Sequence, residues 1–89
     1  MTEREYACEE LVIVKWIDIQ SASSHWQSPE DCKELRPADC ATIGWILEEN
    51  ETYITLASDI SIQVSQGNEE GYGGVICIPK GCITETVRL

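Results

Sequence analysis

Few residues of this 89-residue chain are of types that do chemistry, and their spacing decides which chemistry is open to them. The single histidine, His25, follows Ser23 and Ser24, with Asp18 upstream. A serine hydrolase needs a base oriented by a third group and an oxyanion hole built by the fold. No Gly-x-Ser-x-Gly elbow is present, and these serines fall in a polar loop, so no catalytic residue is assigned. The five cysteines (Cys8, Cys32, Cys40, Cys77 and Cys82) are odd in number and include no Cys-x-x-Cys pair. Tetrahedral zinc sites draw on closely spaced ligand pairs. Here seven residues separate Cys32 from Cys40, and four separate Cys77 from Cys82, so neither a metal nor a cofactor is expected. Lys80, between Cys77 and Cys82, carries the charge that lowers a thiol pKa. The simpler expectation is that Cys77 fills the core and Cys82 packs beneath the turn.

The remaining candidates are binding residues. The aromatic set is three tryptophans and three tyrosines, with no phenylalanine. Trp16 and Trp45 lie in strand-like stretches and are expected in the core. Trp26 lies in the polar stretch Gln20–Gln27 with no packing reason, and tryptophan buries a large area while keeping one donor. Trp26, with His25 beside it, is the leading contact candidate. Lys80-Gly81 reads as a turn that pairs a basic residue with a glycine, which lets a ligand approach the backbone closely. Together with Trp26 and Tyr72, these residues could serve a small nucleotide-like ligand; the plain alternative is an ordinary turn with an exposed lysine. Glu48, Glu49 and Glu51 crowd one turn, and Glu69 and Glu70 another. Without EF-hand spacing they read as solvated acidic faces, or as a surface that imitates nucleic-acid phosphates.

Sixteen acids against six bases give a net charge of −10. That field disfavours nucleic-acid backbones and anionic lipid and favours basic partners. The longest apolar run, Leu11 to Val14, is far shorter than a membrane span. The start, Met1-Thr2-Glu3-Arg4-Glu5, lacks a basic region followed by an apolar stretch, so no signal peptide is expected. Reduced thiols and a cytoplasmic location follow as expectations.

The elements that must position these residues are mostly strands. The chain has room for one domain, 1–89, opening with an acidic segment at 1–9. Leu11 to Ile19 is rich in β-branched residues and apolar on both faces. Ser28-Pro29-Glu30-Asp31 starts a short helix near 29–35 that Pro37 ends, with Cys32 and Leu35 expected inward. Cys40 to Glu48 alternates as a strand, with Gly44 marking a bend or a close backbone approach. Thr52 to Ala57 follows after a turn at 49–51, with Ile54 and Leu56 inward. Ile60 to Val64 alternates again, 65–74 is a glycine-rich loop, Val75 to Ile78 is a short buried strand, and Ile83 to Leu89 closes the fold.

Five or six short strands with one helical insertion predict a mainly β fold, a small SH3/Sm-like barrel. The block Gly44-Trp45-Ile46-Leu47, Ile54-Thr55-Leu56-Ala57, Ile78-Pro79-Lys80-Gly81-Cys82-Ile83 resembles the Sm variant over 40–89. The order Trp16-Ile17-Asp18, Trp26, a small helix, Gly44-Trp45, Ile78-Pro79-Lys80-Gly81 and Leu89 resembles small proteins encoded by tailed bacteriophages. That resemblance implies action in the host-cell cytoplasm. The expected function is non-enzymatic: binding a host factor through an acidic surface. The alternatives are an oligomeric binder of a nucleotide-like molecule and a virion or assembly component. Homo-oligomerisation through strand edges is expected in each.

Overall fold

The computed structural model describes residues 10–61 and 71–89. The acidic segment 1–9 with Cys8, the end of the strand expected to Val64, and Glu69 and Glu70 lie outside the described residues. The protein is mainly β. In chain order the elements are β1 (Leu11–Asp18), α1 (Pro29–Glu34), β2 (Ala38–Glu49), β3 (Tyr53–Ala57), β4 (Asp59–Ser61), β5 (Gly71–Gly73), β6 (Ile76–Pro79), a 3₁₀ turn (Lys80–Cys82) and β7 (Ile83–Arg88). Five strands form one antiparallel sheet in the order β6-β3-β2-β1-β7, and β4 pairs with β5. No helix among the described residues is long and apolar enough to cross a membrane.

The sheet is strongly curled. In a flat sheet of this order, β6 and β7 would lie about 19 Å apart, four strand spacings. Three residues of 3₁₀ turn join them, a rise of only about 6 Å. The two edges therefore meet at this corner, where the Lys80 N–H donates to Thr52 O at 2.8 Å. Two bulges assist the curl, one where β7 slips against β1 at Lys15/Trp16 and one where β2 slips against β3 between Ile46 and Glu48. The Thr84 hydroxyl, in the first bulge, donates to Lys15 O at 3.2 Å.

The concave face holds the core. Val12, Val14, Ile54, Leu56, Ala57 and Ile78 are all 1% exposed or less, and Trp16, Ile46, Ile76, Cys82 and Ile83 pack around them. Trp16 keeps its indole N–H satisfied by donating to Thr42 Oγ1 at 3.0 Å. β2 turns its less apolar side inward: Cys40, Thr42, Gly44 and Ile46 face the core, while Ile43 on the other side is 57% exposed. The reason is space. A Cβ at Gly44 would lie 2.7 Å from Ala57 O, because the end of β3, paired beside β2 at Trp45↔Ala57, brings its backbone against this point.

Four expectations are corrected. Trp45 is half-buried beside Leu11 on the face away from the core, on the opposite side of β2 from Gly44 and Ile46. Cys77 is exposed, not in the core, because Ile76 and Ile78 take the inward positions of β6 and the period-two pleat turns Cys77 out. Val75 is also 53% exposed and precedes the strand. Residues 71–73 of the expected glycine-rich loop form β5 instead. The pairs from Tyr53↔Pro79 to Ser61↔Gly71 keep one register, so β4/β5 continues the β3/β6 ribbon past a kink at Ser58 and Gly74. Gly74 has φ +61°, which L side chains rarely adopt, and its missing Cβ leaves room for the Ser58 hydroxyl. Gly74→Ala is expected to destabilise the protein by about 1–2 kcal/mol, read from urea unfolding. An unchanged midpoint would mean that the kink needs no left-handed residue.

Candidate functional site

Residues 19–37, between β1 and β2, form an arm that stands off the sheet. At its start Asp18 Oδ1 accepts from the Ile19 N–H at 2.8 Å, and Ile19 is 84% exposed. The loop that follows is closed by its own side chains. Gln27 Nε2 donates to Ser24 O at 3.0 Å and to Ser24 Oγ at 2.8 Å, and Ser24 Oγ donates to Trp26 O at 3.3 Å. The result is a knuckle with Trp26 at its surface, 84% exposed. The His25 ring meets Trp26 edge-on, with centroids 4.9 Å apart and planes at 86°. Ser24 is thus engaged in holding the loop, and His25 packs against the indole that the loop presents.

α1 begins as its sequence dictates. Ser28 Oγ accepts from the Asp31 N–H at 3.1 Å, Pro29 opens the first turn, and Glu30 and Asp31 suit the positive end of the helix. Arg36 Nη1 ends it by donating to the Lys33 and Leu35 carbonyls at 2.7 and 3.1 Å. The expected inward anchors do not anchor: no residue of α1 is buried, Cys32 is exposed and Leu35 is 46% exposed. A six-residue helix isolated in water is below the length at which helices hold themselves. Among the described residues its caps and the preceding loop support it. Between loop and helix lies an open groove of ≈ 590 Å³ lined by Ser21, Ser23, Gln27, Asp31, Glu34 and others. At the foot of the arm a second groove of ≈ 300 Å³ is walled by Ile17, Ile19, Pro37 and Cys82.

Electrostatics set the arm's character. Lys15 pairs with Glu85 at 3.4 Å, Lys80 with Glu49 at 3.0 Å, and Arg88 with both Glu49 and Glu10 at 3.0 and 3.1 Å. Arg36 is spent on backbone carbonyls. Glu30, Asp31 and Glu34 on α1, and Glu48 and Glu51 flanking the β2–β3 turn, have no ion-pair partner among the described residues. Lys15, Lys80 and Arg88 are thus paired with carboxylates, whereas Lys33 has no ion-pair partner among the described residues and Arg36 keeps its charge on neutral carbonyls, so the arm carries the acids Glu30, Asp31 and Glu34 against these two bases.

No protein family, curated relative or solved structure matches this chain.

The other sequence candidates do not gather into one site within the chain. Lys80 Nζ is held by Glu49 Oε2, so it is not a free phosphate ligand, and Glu49 is not a free surface acid. Gly81 has open space where a Cβ would stand, so nothing within the chain requires a glycine there. Tyr72 is on β5, 40% exposed, in the ribbon beyond the kink. Among the candidates the structure brings together His25 with Trp26 and Lys80 with Glu49, at separate places in the fold.

The sequence offered no sign of the ionic clasp at Glu49. One carboxylate at the end of β2 takes Lys80 from the 3₁₀ turn and a two-pronged Arg88 from the end of β7, Nη1 to Oε1 at 3.2 Å and Nη2 to Oε2 at 3.0 Å. The Arg88 and Lys80 hydrogen bonds hold the Glu49 pKa below the usual glutamate value, against a smaller opposing effect of burial. A depressed carboxyl pKa adds stability that is present above the unfolded value of about 4.3 and is lost as pH falls through the folded one. Glu49→Gln is expected to cost about 1 kcal/mol or less at pH 7, since the group is partly solvated. The gap between the two proteins should close as pH falls below the unfolded value and the wild-type carboxylate protonates. A gap that persists at low pH would show that Glu49 acts by packing and not by charge.

Proposed function

We propose that the protein is a non-enzymatic binding module whose arm presents Trp26, within an acidic surround, to a basic protein. The observation that carries this reading is the 84% exposed Trp26 on a loop closed by Ser24 and Gln27. Exposed tryptophan is costly to leave in water and is a frequent centre of interfaces. The unpacked α1 points the same way, since a partner would supply the apolar surface that Cys32 and Leu35 lack at home. The free carboxylates of α1 favour a partner carrying Lys and Arg around an apolar pocket. In the setting implied by the phage resemblance, that partner is a host factor in the host cytoplasm, and the protein acts as an accessory or inhibitor.

The strand order, the bent β2 and the single 3₁₀ turn between the two sheet edges support assigning the SH3/Sm-like barrel class. In that class the arm is an insertion between the first two barrel strands, which frees it for recognition while the sheet carries stability.

The test places a photo-crosslinking amino acid at position 26 in the full chain, expressed in the host. The expected product is one dominant adduct with a basic protein, whose binding to the purified chain weakens with added salt and is lost with Trp26→Ala. No adduct, or a captured protein that binds Trp26→Ala as tightly as wild type, would end this reading.

A further inference from the structure

The outer face of the sheet carries a feature that the arm does not use. Opposite the core, β1 presents Leu11 and Ile13, and its neighbours extend the same rows. Leu11 lies beside Trp45, and Ile13 lies between Ile43 of β2 and Val87 of β7. Leu89, tied by its N–H to Leu11 O at 2.9 Å, prolongs the upper row. Ile43 and Leu89 are 57% and 63% exposed, and the other four are half-buried. The next row down is Glu85, Lys15 and Ala41. Its two charges neutralise each other across 3.4 Å. This is an apolar surface three strands wide with a neutral lower border, on a chain of net charge −10.

The geometry points to this face as the surface on which a second copy of the chain docks, face to face about a two-fold axis. Charge decides the occupant. A basic partner is drawn to unpaired carboxylates, and these two rows hold none. Two copies approaching elsewhere, along α1 or the β2–β3 turn, would set Glu30, Asp31 and Glu34 or Glu48 and Glu51 against acids of the same kind. On the outer face two copies meet apolar on apolar, and an isologous contact needs only one patch that complements itself. This differs from pairing through the β6 and β7 edges, because it uses the side chains of the central strand and leaves both edges open.

The two interfaces respond oppositely to salt. Docking of a basic protein on the arm weakens as salt is added, whereas self-association of an acidic chain strengthens as salt screens the repulsion between copies. Sedimentation velocity on the full chain into the micromolar range, at about 0.1 M and about 1 M salt, spans Debye lengths of about 10 to 3 Å. The expected result is a monomer–dimer equilibrium that tightens at high salt. Ile43→Asp, at a position already exposed, should raise the dimer dissociation constant at least about 30-fold, while the dilute monomer melts lower only by the few degrees that the weaker strand preference of aspartate accounts for. A monomer at every concentration and salt overturns the proposal. So does association that Ile43→Asp leaves unchanged, which would place the contact elsewhere, such as the sheet edges. A monomer whose melting temperature falls with Ile43→Asp by more than about 10 °C, beyond what strand preference accounts for, would mean that the chain covers its own outer face, and overturns it as well. None of these outcomes depends on Trp26, so this inference and the arm's function fail separately.

Discussion

Gly44→Ala is expected to destabilise the protein by about 2–3 kcal/mol, although it adds a single methyl group. In a strand interior the same change is ordinarily favourable, because alanine loses less backbone freedom on folding than glycine. Here the new Cβ would stand 2.7 Å from Ala57 O and 3.2 Å from both Ala57 C and Leu56 Cβ. Two of these three atoms belong to backbone, and the third is the fixed Cβ of a fully buried leucine. None can swing aside as a surface side chain would. Relief requires β3 to lift off β2, which loosens the packing of Ile54 and Leu56, both 0% exposed. For a domain of this size the melting temperature should fall by about 10–20 °C. Gly81→Ala is the matched control. Its Cβ would meet nothing within 4 Å, and stability should be unchanged or slightly raised. Equal melting of Gly44→Ala and wild type would mean that the β3 backbone does not press on β2 at this point.

Gly44 also marks how far the sequence could be read. A glycine inside an alternating strand announces a bend or a close approach, and the close approach is what the fold contains. Ile54 and Leu56 were legible as inward because polar or smaller neighbours separate them. β2 was not, because both its faces carry apolar residues. Ala41, Ile43 and Trp45 are more apolar than Cys40, Thr42 and Gly44, yet the smaller set is inside. That choice is made by β3, a different segment, whose backbone needs the space beside Gly44. Ser28 and Pro29 fixed the start of α1 by local chemistry, so its position was readable. Its lack of packing was not, since Cys32 and Leu35 have the right types and spacing for anchors but extend from an arm that stands off the sheet. The Glu49 clasp joins residues 31 and 39 positions apart and leaves no local pattern at all. At the candidate site, Trp26 was legible as an aromatic stranded in a polar loop. The hydrogen bonds from Ser24 and Gln27 that hold the loop in shape were not, because either residue suits a mobile loop equally well.

That closed loop leads to the largest functional effect expected. Trp26→Ala should weaken binding of the basic partner at least about 30-fold, equivalent to about 2 kcal/mol, the scale of an interface hot spot. The folded protein should not notice. An indole that is 84% exposed and meets the His25 ring contributes little to the core, so unfolding should shift by no more than about 0.5 kcal/mol. The contrast between lost binding and retained stability separates a contact residue from a structural one. Preorganisation predicts a graded second effect. Ser24→Ala and Gln27→Ala leave the indole in place but free the loop, so each should weaken binding less than Trp26→Ala does, by the ordering that the partner must then impose. Glu30→Gln with Glu34→Gln should slow association and flatten its salt dependence with little change in the dissociation rate, because steering by rim charges acts on the encounter. If Trp26→Ala binds as wild type does while the charge variants abolish binding, the acidic surface alone is the recognition element and the knuckle is incidental. If the charge variants and salt change nothing while Trp26→Ala abolishes binding, the partner is not basic, and recognition rests on one apolar anchor.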